Sequence, residues 1–179
     1  TMRSIEACVV DAIKQKQSLQ LDNSAFSELV VRLQDMAFGY ALSIVRDPYL
    51  ARDAAQESFL QAWRRLETLR EPAAFLSWFR AVVRHCSLAV RDDRRLPDGE
   101  RFDEQTVAAR GPGPEHQAQS AETAREIRAA IDALPESLRA SVVLHHIDGY
   151  SVADVAAFLD ISVAAAKKRL ERGRSTMRK

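Results

Sequence analysis

The sequence predicts an all-α chain of two small helical domains, a three-helix one and a helix-turn-helix one, joined by a flexible linker. Apolar residues recur at spacings of three and four in both halves, and no segment shows the period-two alternation of a half-buried strand. Between the halves, over residues 92–120, large apolar side chains nearly vanish, and the stretch carries Leu96-Pro97-Asp98-Gly99 and Gly111-Pro112-Gly113-Pro114. Such turn and breaker signals fit a tether better than a packed element.

Each element has a local cause. A helix over 24–46 presents Phe26, Leu29, Val30, Leu33, Met36, Ala37, Tyr40, Ala41 and Ile44 on one face, with Ser24 as its expected N-cap. The ring of Pro48 disfavours α geometry at Asp47 and ends it. A second helix over 49–69 carries Ala55, Phe59, Ala62, Trp63 and Leu66, and Glu71-Pro72 breaks it. A third over 73–91 carries Phe75, Phe79, Val82, Val83, Cys86 and Val90. From residue 121 the helical pattern returns through Ile127, Ile131 and Leu134, and Pro135 then suits the first turn of a new helix. That helix stops at Asp148-Gly149. Two short helices follow, over 152–159 and 163–177, joined by Asp160-Ile161-Ser162 and preceded by the expected caps Ser151 and Ser162.

The 179 residues carry 26 Lys+Arg and 25 Asp+Glu, a formal net charge of +1. That near-neutral sum hides sorted blocks. Residues 1–60 carry −2, 61–95 +4, 96–120 −3, 121–161 −4 and 162–179 +6. Two basic blocks in a neutral chain suggest a polyanionic partner. No apolar run approaches the roughly 20 residues of a membrane span. The first 20 residues lack the layout of a signal peptide. Two cysteines cannot build a disulfide framework, so the cytoplasm is the expected location.

The last stretch is the most informative. A short helix, a three-residue turn and a basic second helix describe a helix-turn-helix, which places its second helix in the major groove. The start of that helix, with Ser162 and Ala165, would meet base edges. Lys167, Lys168, Arg169, Arg172 and Arg174 would reach phosphates. A basic helix end that merely complements the helix dipole is the plainer alternative. The turn and the two caps argue against it.

In the first half the basic block is Arg64, Arg65, Arg70, Arg80, Arg84, Arg91, Arg94 and Arg95, interleaved with Trp63, Phe75, Trp78 and Phe79. Trp78 breaks the stripe of its helix. It suits either stacking on an unpaired base or a wider buried face. Trp63 reads as core. Asp53, Gln56 and Glu57 share one face of the second helix and by themselves are an ordinary solvated surface. Nothing apolar surrounds those carboxylates to raise a pKa for catalysis. His145-His146 with His85 or Cys86 is a poor catalytic or metal set. Adjacent helical side chains point about 100° apart, and Cys86 lies on the apolar stripe. No catalytic residue, metal or cofactor is expected, and the chain is read as a non-enzyme.

These residues resemble a family. Asp53-Ala54-Ala55-Gln56-Glu57-Ser58-Phe59, then Ala62-Trp63-Arg64, then Phe75-Leu76-Ser77-Trp78-Phe79 is similar to region 2 of bacterial RNA polymerase sigma factors. Ala133-Leu134-Pro135, Asp148-Gly149-Tyr150-Ser151, Val155-Ala156, Ile161-Ser162 and Lys167-Lys168-Arg169-Leu170 is similar to their region 4. A short linker with no domain between the two matches the extracytoplasmic-function (ECF) group. The resemblance divides the chain into an N-terminal extension (1–23), region 2 (24–95), a linker (96–120) and region 4 (121–179). The extension has no counterpart in the family core and reads as a short extra helix or as disorder.

The resemblance implies a sigma factor that binds core RNA polymerase, directs it to promoters and helps melt the upstream element. Asp53, Gln56 and Glu57 would meet the clamp helices of the polymerase beta-prime subunit, and the beta flap would be a second contact. Arg64, Arg65, Arg70, Trp78, Arg80, Arg84 and Arg91 would hold the melted minus-ten strand, where unstacking a base costs a few kcal/mol. Ser162, Ala165, Lys167, Lys168, Arg169, Arg172 and Arg174 would read the minus-thirty-five duplex. The linker would thread toward the active-site cleft. An anti-sigma factor is a further implied partner, and the free chain is expected to be monomeric.

The sequence departs from the family pattern in four places. Arg52 replaces an acidic residue before Asp53, Asp160 replaces a turn glycine, Asp92-Asp93 interrupts a basic helix end, and Ala164-Ala165-Ala166 opens the recognition helix. Those alanines offer base edges only apolar contact. Two other readings compete: a stand-alone helix-turn-helix regulator, and a sigma-like decoy that binds an anti-sigma factor.

Overall fold

The computed structural model describes residues 3–18, 23–93 and 114–178. Among these residues every regular element is helical. Helix α1 (Ile5–Gln17) settles the open reading of the N-terminal extension. It starts on Ser4, whose Oγ accepts from the Ala7 amide, and it buries Cys8, Val9 and Ala12 completely.

Helix α2 (Ser24–Val45) corrects the expected cap. Asn23 holds the N-cap position without a side-chain bond, and Ser24 lies in the first turn. Gln15 of α1 supplies the missing acceptor, its Oε1 taking the Ala25 amide at 3.2 Å. The helix ends on Arg46 in left-handed geometry, φ 63°. Asp47 then caps α3 (Pro48–Arg65), accepting from the Tyr49 and Leu50 amides at 2.8 and 3.0 Å. The buried face of α3 is Ala51, Ala54, Ala55, Ser58 and Ala62, side chains small enough for α2 and α4 to close on both sides.

The second helix stops earlier than its apolar pattern suggests. After Arg65 the backbone tightens into a 3-10 turn, Leu66–Thr68, with Thr68 Oγ1 donating to the Arg65 carbonyl at 2.7 Å. A second such turn, Pro72–Ala74, leads into α4 (Phe75–Asp93). Phe79 stacks on Phe75 at 5.7 Å and packs on Phe59 at 4.8 Å, which closes the three-helix core.

The linker reading is partly corrected. Helix α5 (Pro114–Asp132) begins inside the stretch assigned to it, because proline suits the first helical position. The rest of that stretch, 96–113, lies outside the described residues. Helix α6 (Glu136–Val142) widens into a π turn, Val143–Ile147, in which the Asp148 amide reaches back to Val143. The His145 and His146 rings pack at 4.7 Å, nearer than the splay of an ordinary helix would bring them. Helices α7 (Val152–Leu159) and α8 (Val163–Met177) fall where the sequence places them.

The two halves are docked rather than merely tethered. Ala140, Leu144, Val155, Phe158 and Leu159 join one continuous core with residues of α1 to α4. Phe158, fully buried, meets Tyr40 edge-on at 5.4 Å. Burying such a side chain is worth roughly 1.5–3 kcal/mol. Arg139, 4 % exposed, spans the junction. Its Nη1 donates to the Ser43 carbonyl at 2.7 Å, and its other nitrogens donate to Ile131, Asp132 and Leu134, the carbonyls that end α5. Burial pulls its pKa down, yet the guanidinium stays charged near neutral pH. A smaller cluster, Leu134, Val142 and Leu170, fastens α8 to α6.

Candidate nucleic-acid and protein interfaces

Helix α3 turns its alanines inward, and this sends Arg52, Asp53 and Gln56 into solvent. Glu57 is on the same side but is half-covered. It accepts from Gln61 Nε2 at 2.7 Å and lies 3.7 Å from Arg64. The three residues proposed from sequence as one face therefore do form one, with Glu57 pre-positioned by its own helix. Those local ties order the carboxylate at little cost in stability, since exposed pairs are worth about 0–1 kcal/mol.

The cations of the first half divide into groups. Arg64, Arg65 and Arg70 are exposed at and beyond the end of α3. Arg65 and Trp78 line one shallow groove between α3 and α4, with Gln61, Val82 and His85. Trp78 is half-buried, with its ring 5.8 Å from Phe75. One part of the Trp78 ring is core, and another lines the groove. Trp63 is half-buried against Phe26 at 4.9 Å, in keeping with a core residue.

Arg80 and Arg84 face the second half instead. Arg80 Nη2 is 3.7 Å from Asp160, and Arg84 Nε is 3.6 Å from Glu136. Arg91 lies at the far end of α4 beside Asp92, at 3.4 Å. The expected minus-ten set is therefore not one continuous surface. It is a groove lined by Arg65 and Trp78, with Arg64 and Arg70 exposed at and beyond the end of α3, two arginines turned to the other domain, and one at the end of α4.

The helix-turn-helix is built by caps. Ser151 Oγ accepts from the Asp154 amide at 3.1 Å and donates back to its carboxylate at 2.5 Å. Asp160 takes left-handed geometry, φ 55°, which aspartate tolerates better than most residues. Ser162 Oγ accepts from the Ala165 amide at 3.1 Å, so the hydroxyl is engaged in holding the helix start. Helix α8 buries Ala166, Leu170 and Gly173. Gly173 lets it approach closely, since a Cβ there would lie 2.6 Å from Val142 Cγ2. The opposite side exposes Lys167, Lys168, Arg172 and Arg174, with Arg169 half-buried at the edge and Ala165 beside it. This is a solvent-facing cationic helix on a rigid support.

Sequence reasoning missed Arg139, Gly39, Phe158 and Gly173. Only Phe158 left a signal, as a large aromatic ring in a short helix of otherwise small and aliphatic apolar residues. Among the described residues no group of three His, Cys, Asp or Glu is placed to hold a metal ion. Nor is any described helix long and apolar enough to cross a membrane.

Comparison with known proteins gives these surfaces a class. The family model "Sigma-70 region 2" matches residues 29–96, and "Sigma-70, region 4" matches residues 124–177. Together they cover more than half of the chain, which belongs to the sigma-70 family of promoter-directing RNA polymerase sigma factors. Its relatives place it in the ECF group. It is 37 % identical over 159 residues to the "Probable RNA polymerase sigma factor RfaY" of Xanthomonas campestris pv. campestris, covering 86 % of this chain and 40 % of that protein. It is 30 % identical over 164 residues to the "ECF RNA polymerase sigma-E factor" of Haemophilus influenzae, covering 87 % of this chain and 86 % of the relative. A solved structure, CnrH in complex with the cytosolic domain of CnrY, shares the fold with TM-score 0.62 and 22 % identity over 97 % of this chain and 94 % of that one.

Proposed function

We propose that this sigma factor engages polymerase and promoter through three separate surfaces. Asp53, Gln56 and Glu57 on α3 meet the clamp helices of the beta-prime subunit. The groove of Arg65 and Trp78, with Arg64 and Arg70, takes the melted minus-ten strand. Arg80, Arg84 and Arg91 extend that path along α4. Helix α8 enters the minus-thirty-five major groove, with Ser162 and Ala165 at its entry and Lys167, Lys168, Arg169, Arg172 and Arg174 along its flanks. The region 4 domain also meets the beta flap. The boundaries that carry these roles are 24–95 and 121–179, with residues 114–120 added to the second domain.

The observation that carries this reading is α8. It is a closely packed helix capped at its start by Ser162, and its exposed side carries Lys167, Lys168, Arg172 and Arg174 against a single acid, Glu171. Cationic side chains supply the sequence-independent part of DNA affinity. The three alanines at its start, Ala164 to Ala166, leave sequence readout to Lys167, Lys168, Arg169 and to DNA shape. The chain acts in the cytoplasm, as a monomer when free, by recognition and not by catalysis, and without a cofactor.

An anti-sigma factor is a further partner. The complex of CnrH with CnrY supports this, as do Ile127 and Ile147, which stand exposed at an apolar groove beside Arg46 and Arg128.

In vitro transcription with core polymerase on a promoter library tests the whole reading. Enrichment of one promoter class, dependent on this chain, is expected. Tight duplex binding without polymerase, and no transcription with it, would favour a stand-alone regulator.

A further inference from the structure

We propose that Lys16, on α1, is a positioning residue that sets the geometry of the connection from α3 to α4, residues 66–74, which carries Arg70 of the proposed minus-ten surface. The inference rests on the minus-ten role assigned above to that region. It concerns a residue outside the region 2 match, which starts at residue 29.

Lys16 Nζ donates to the Trp63 carbonyl at 2.5 Å and to the Arg64 carbonyl at 3.1 Å, 47 and 48 residues away. The same ammonium stands 5.1 Å from the centroid of the Trp63 ring. Trp63 and Arg64 lie in the last turn of α3, where the dipole favours a cation, and the Trp63 carbonyl accepts from the Leu66 amide as well as from Lys16. Lys16 also belongs to the last turn of its own helix, so one charge serves two C-termini. The next carbonyl, that of Arg65, is taken by Thr68. The end of α3 is thereby closed, and the chain leaves it in a fixed direction through Leu66–Thr68 and Pro72–Ala74.

The ammonium comes from a well-held element. Cys8, Val9 and Ala12 are fully buried, and Arg3 ties α1 to α2 through Glu28 at 2.5 Å. Helix α1 packs against both 3-10 turns. Arg64 and Arg65, which flank the capped carbonyls, are two of the residues proposed to meet DNA. Loss of the cap would let the last turn of α3 fray. Those arginines and the following connection would then lose their place relative to Trp78, while Asp53 and Gln56, about two to three turns upstream, would stay in place and Glu57 would keep its bond from Gln61.

The test uses the full chain with core polymerase on a promoter that it opens, with permanganate reactivity of minus-ten thymines as the readout. Lys16→Met keeps the apolar stem and removes the charge, Lys16→Arg keeps a cation, and Lys16→Ala removes both. Open complex should fall about tenfold in Lys16→Met and Lys16→Ala, the scale of one lost charge-assisted hydrogen bond. Lys16→Arg should restore most of it, and core binding should be unchanged in all three. Wild-type melting by Lys16→Met would overturn the proposal, as would failure of Lys16→Arg to rescue. So would a matching loss of core binding, the signature of a merely structural residue. If the unaltered chain gives no open complex on any promoter, the function proposed above falls first and this inference with it.

Discussion

Asp148, at the end of the π turn, packs against Gly39 in the middle of α2, one of the contacts that seat the second domain on the first. A Cβ at residue 39 would collide with the Asp148 carboxylate. Gly39→Ala should therefore loosen the junction, at a cost of about 1–3 kcal/mol typical of overpacking. In an Asp148→Ala background the same change should be neutral or stabilising, because a helix interior prefers alanine to glycine by about 1 kcal/mol. Urea denaturation of the two single variants and the double variant measures this coupling. Additive effects would deny the contact.

The same carboxyl should make docking pH-dependent. Burial, and secondarily Asp35, pushes the Asp148 pKa up to about 6. Its Oδ2 is buried with no hydrogen-bond partner among the described residues. The folded pKa lies above the unfolded one, so the ionised form is the one disfavoured in the docked state. Stability should be highest below the unfolded value near 4, fall as pH rises toward 6, and then stay flat as far as this group is concerned. Asp148→Asn should remove that slope. A denaturation midpoint whose change between pH 4 and 7 is the same in both proteins would refute the assignment.

Arg80 with Asp160, and Arg84 with Glu136, join α4 to the second domain. Both pairs are partly exposed and individually weak, worth about 1 kcal/mol or less. Asp160→Asn with Glu136→Gln should nonetheless widen the population in which the halves separate. Asparagine keeps the tolerance for left-handed geometry that residue 160 needs. Small-angle scattering should show a larger radius of gyration, and single-stranded DNA binding by the free chain should rise. Unchanged scattering together with unchanged DNA binding would count against these pairs as part of the junction.

Asp53→Ala with Glu57→Ala should abolish holoenzyme formation and leave the fold intact. Asp53 is exposed and the polar partners of Glu57 are Gln61 and Arg64 of its own helix, so the stability change should stay within about 0.5 kcal/mol per substitution. Normal binding to core polymerase would refute the role of this face.

Arg169→Glu with Arg172→Glu should weaken promoter binding by holoenzyme and flatten its dependence on salt. Each lost phosphate contact lowers the log–log slope by about 0.9. A slope equal to that of the unaltered protein would exclude α8 as the element that meets DNA.

Local signals make the helix-turn-helix legible in the sequence alone. Ser151, Asp160 and Ser162 each act within four residues of their own position, so their spacing is their structure. The failures are equally physical. Ser24 was displaced as a cap because Gln15, from another helix, reaches the same amide. The start of α5 at Pro114 lay hidden in breaker residues that also suit a first helical turn. Arg139 looks like any surface cation until the carbonyls of α5 and of Ser43 converge on it. The Asp53 face, by contrast, carried no signal from its residues alone; the family resemblance singled it out, and the structure shows it exposed.

Two arginines proposed to follow a melted strand already rest on carboxylates of their own chain. Asp160 and Glu136 offer Arg80 and Arg84 what a phosphate backbone would offer: oxygen acceptors, negative charge and a short reach. The second domain is in this sense a built-in counterfeit of nucleic acid. Any strand entering along α4 must displace that imitation before it can be held.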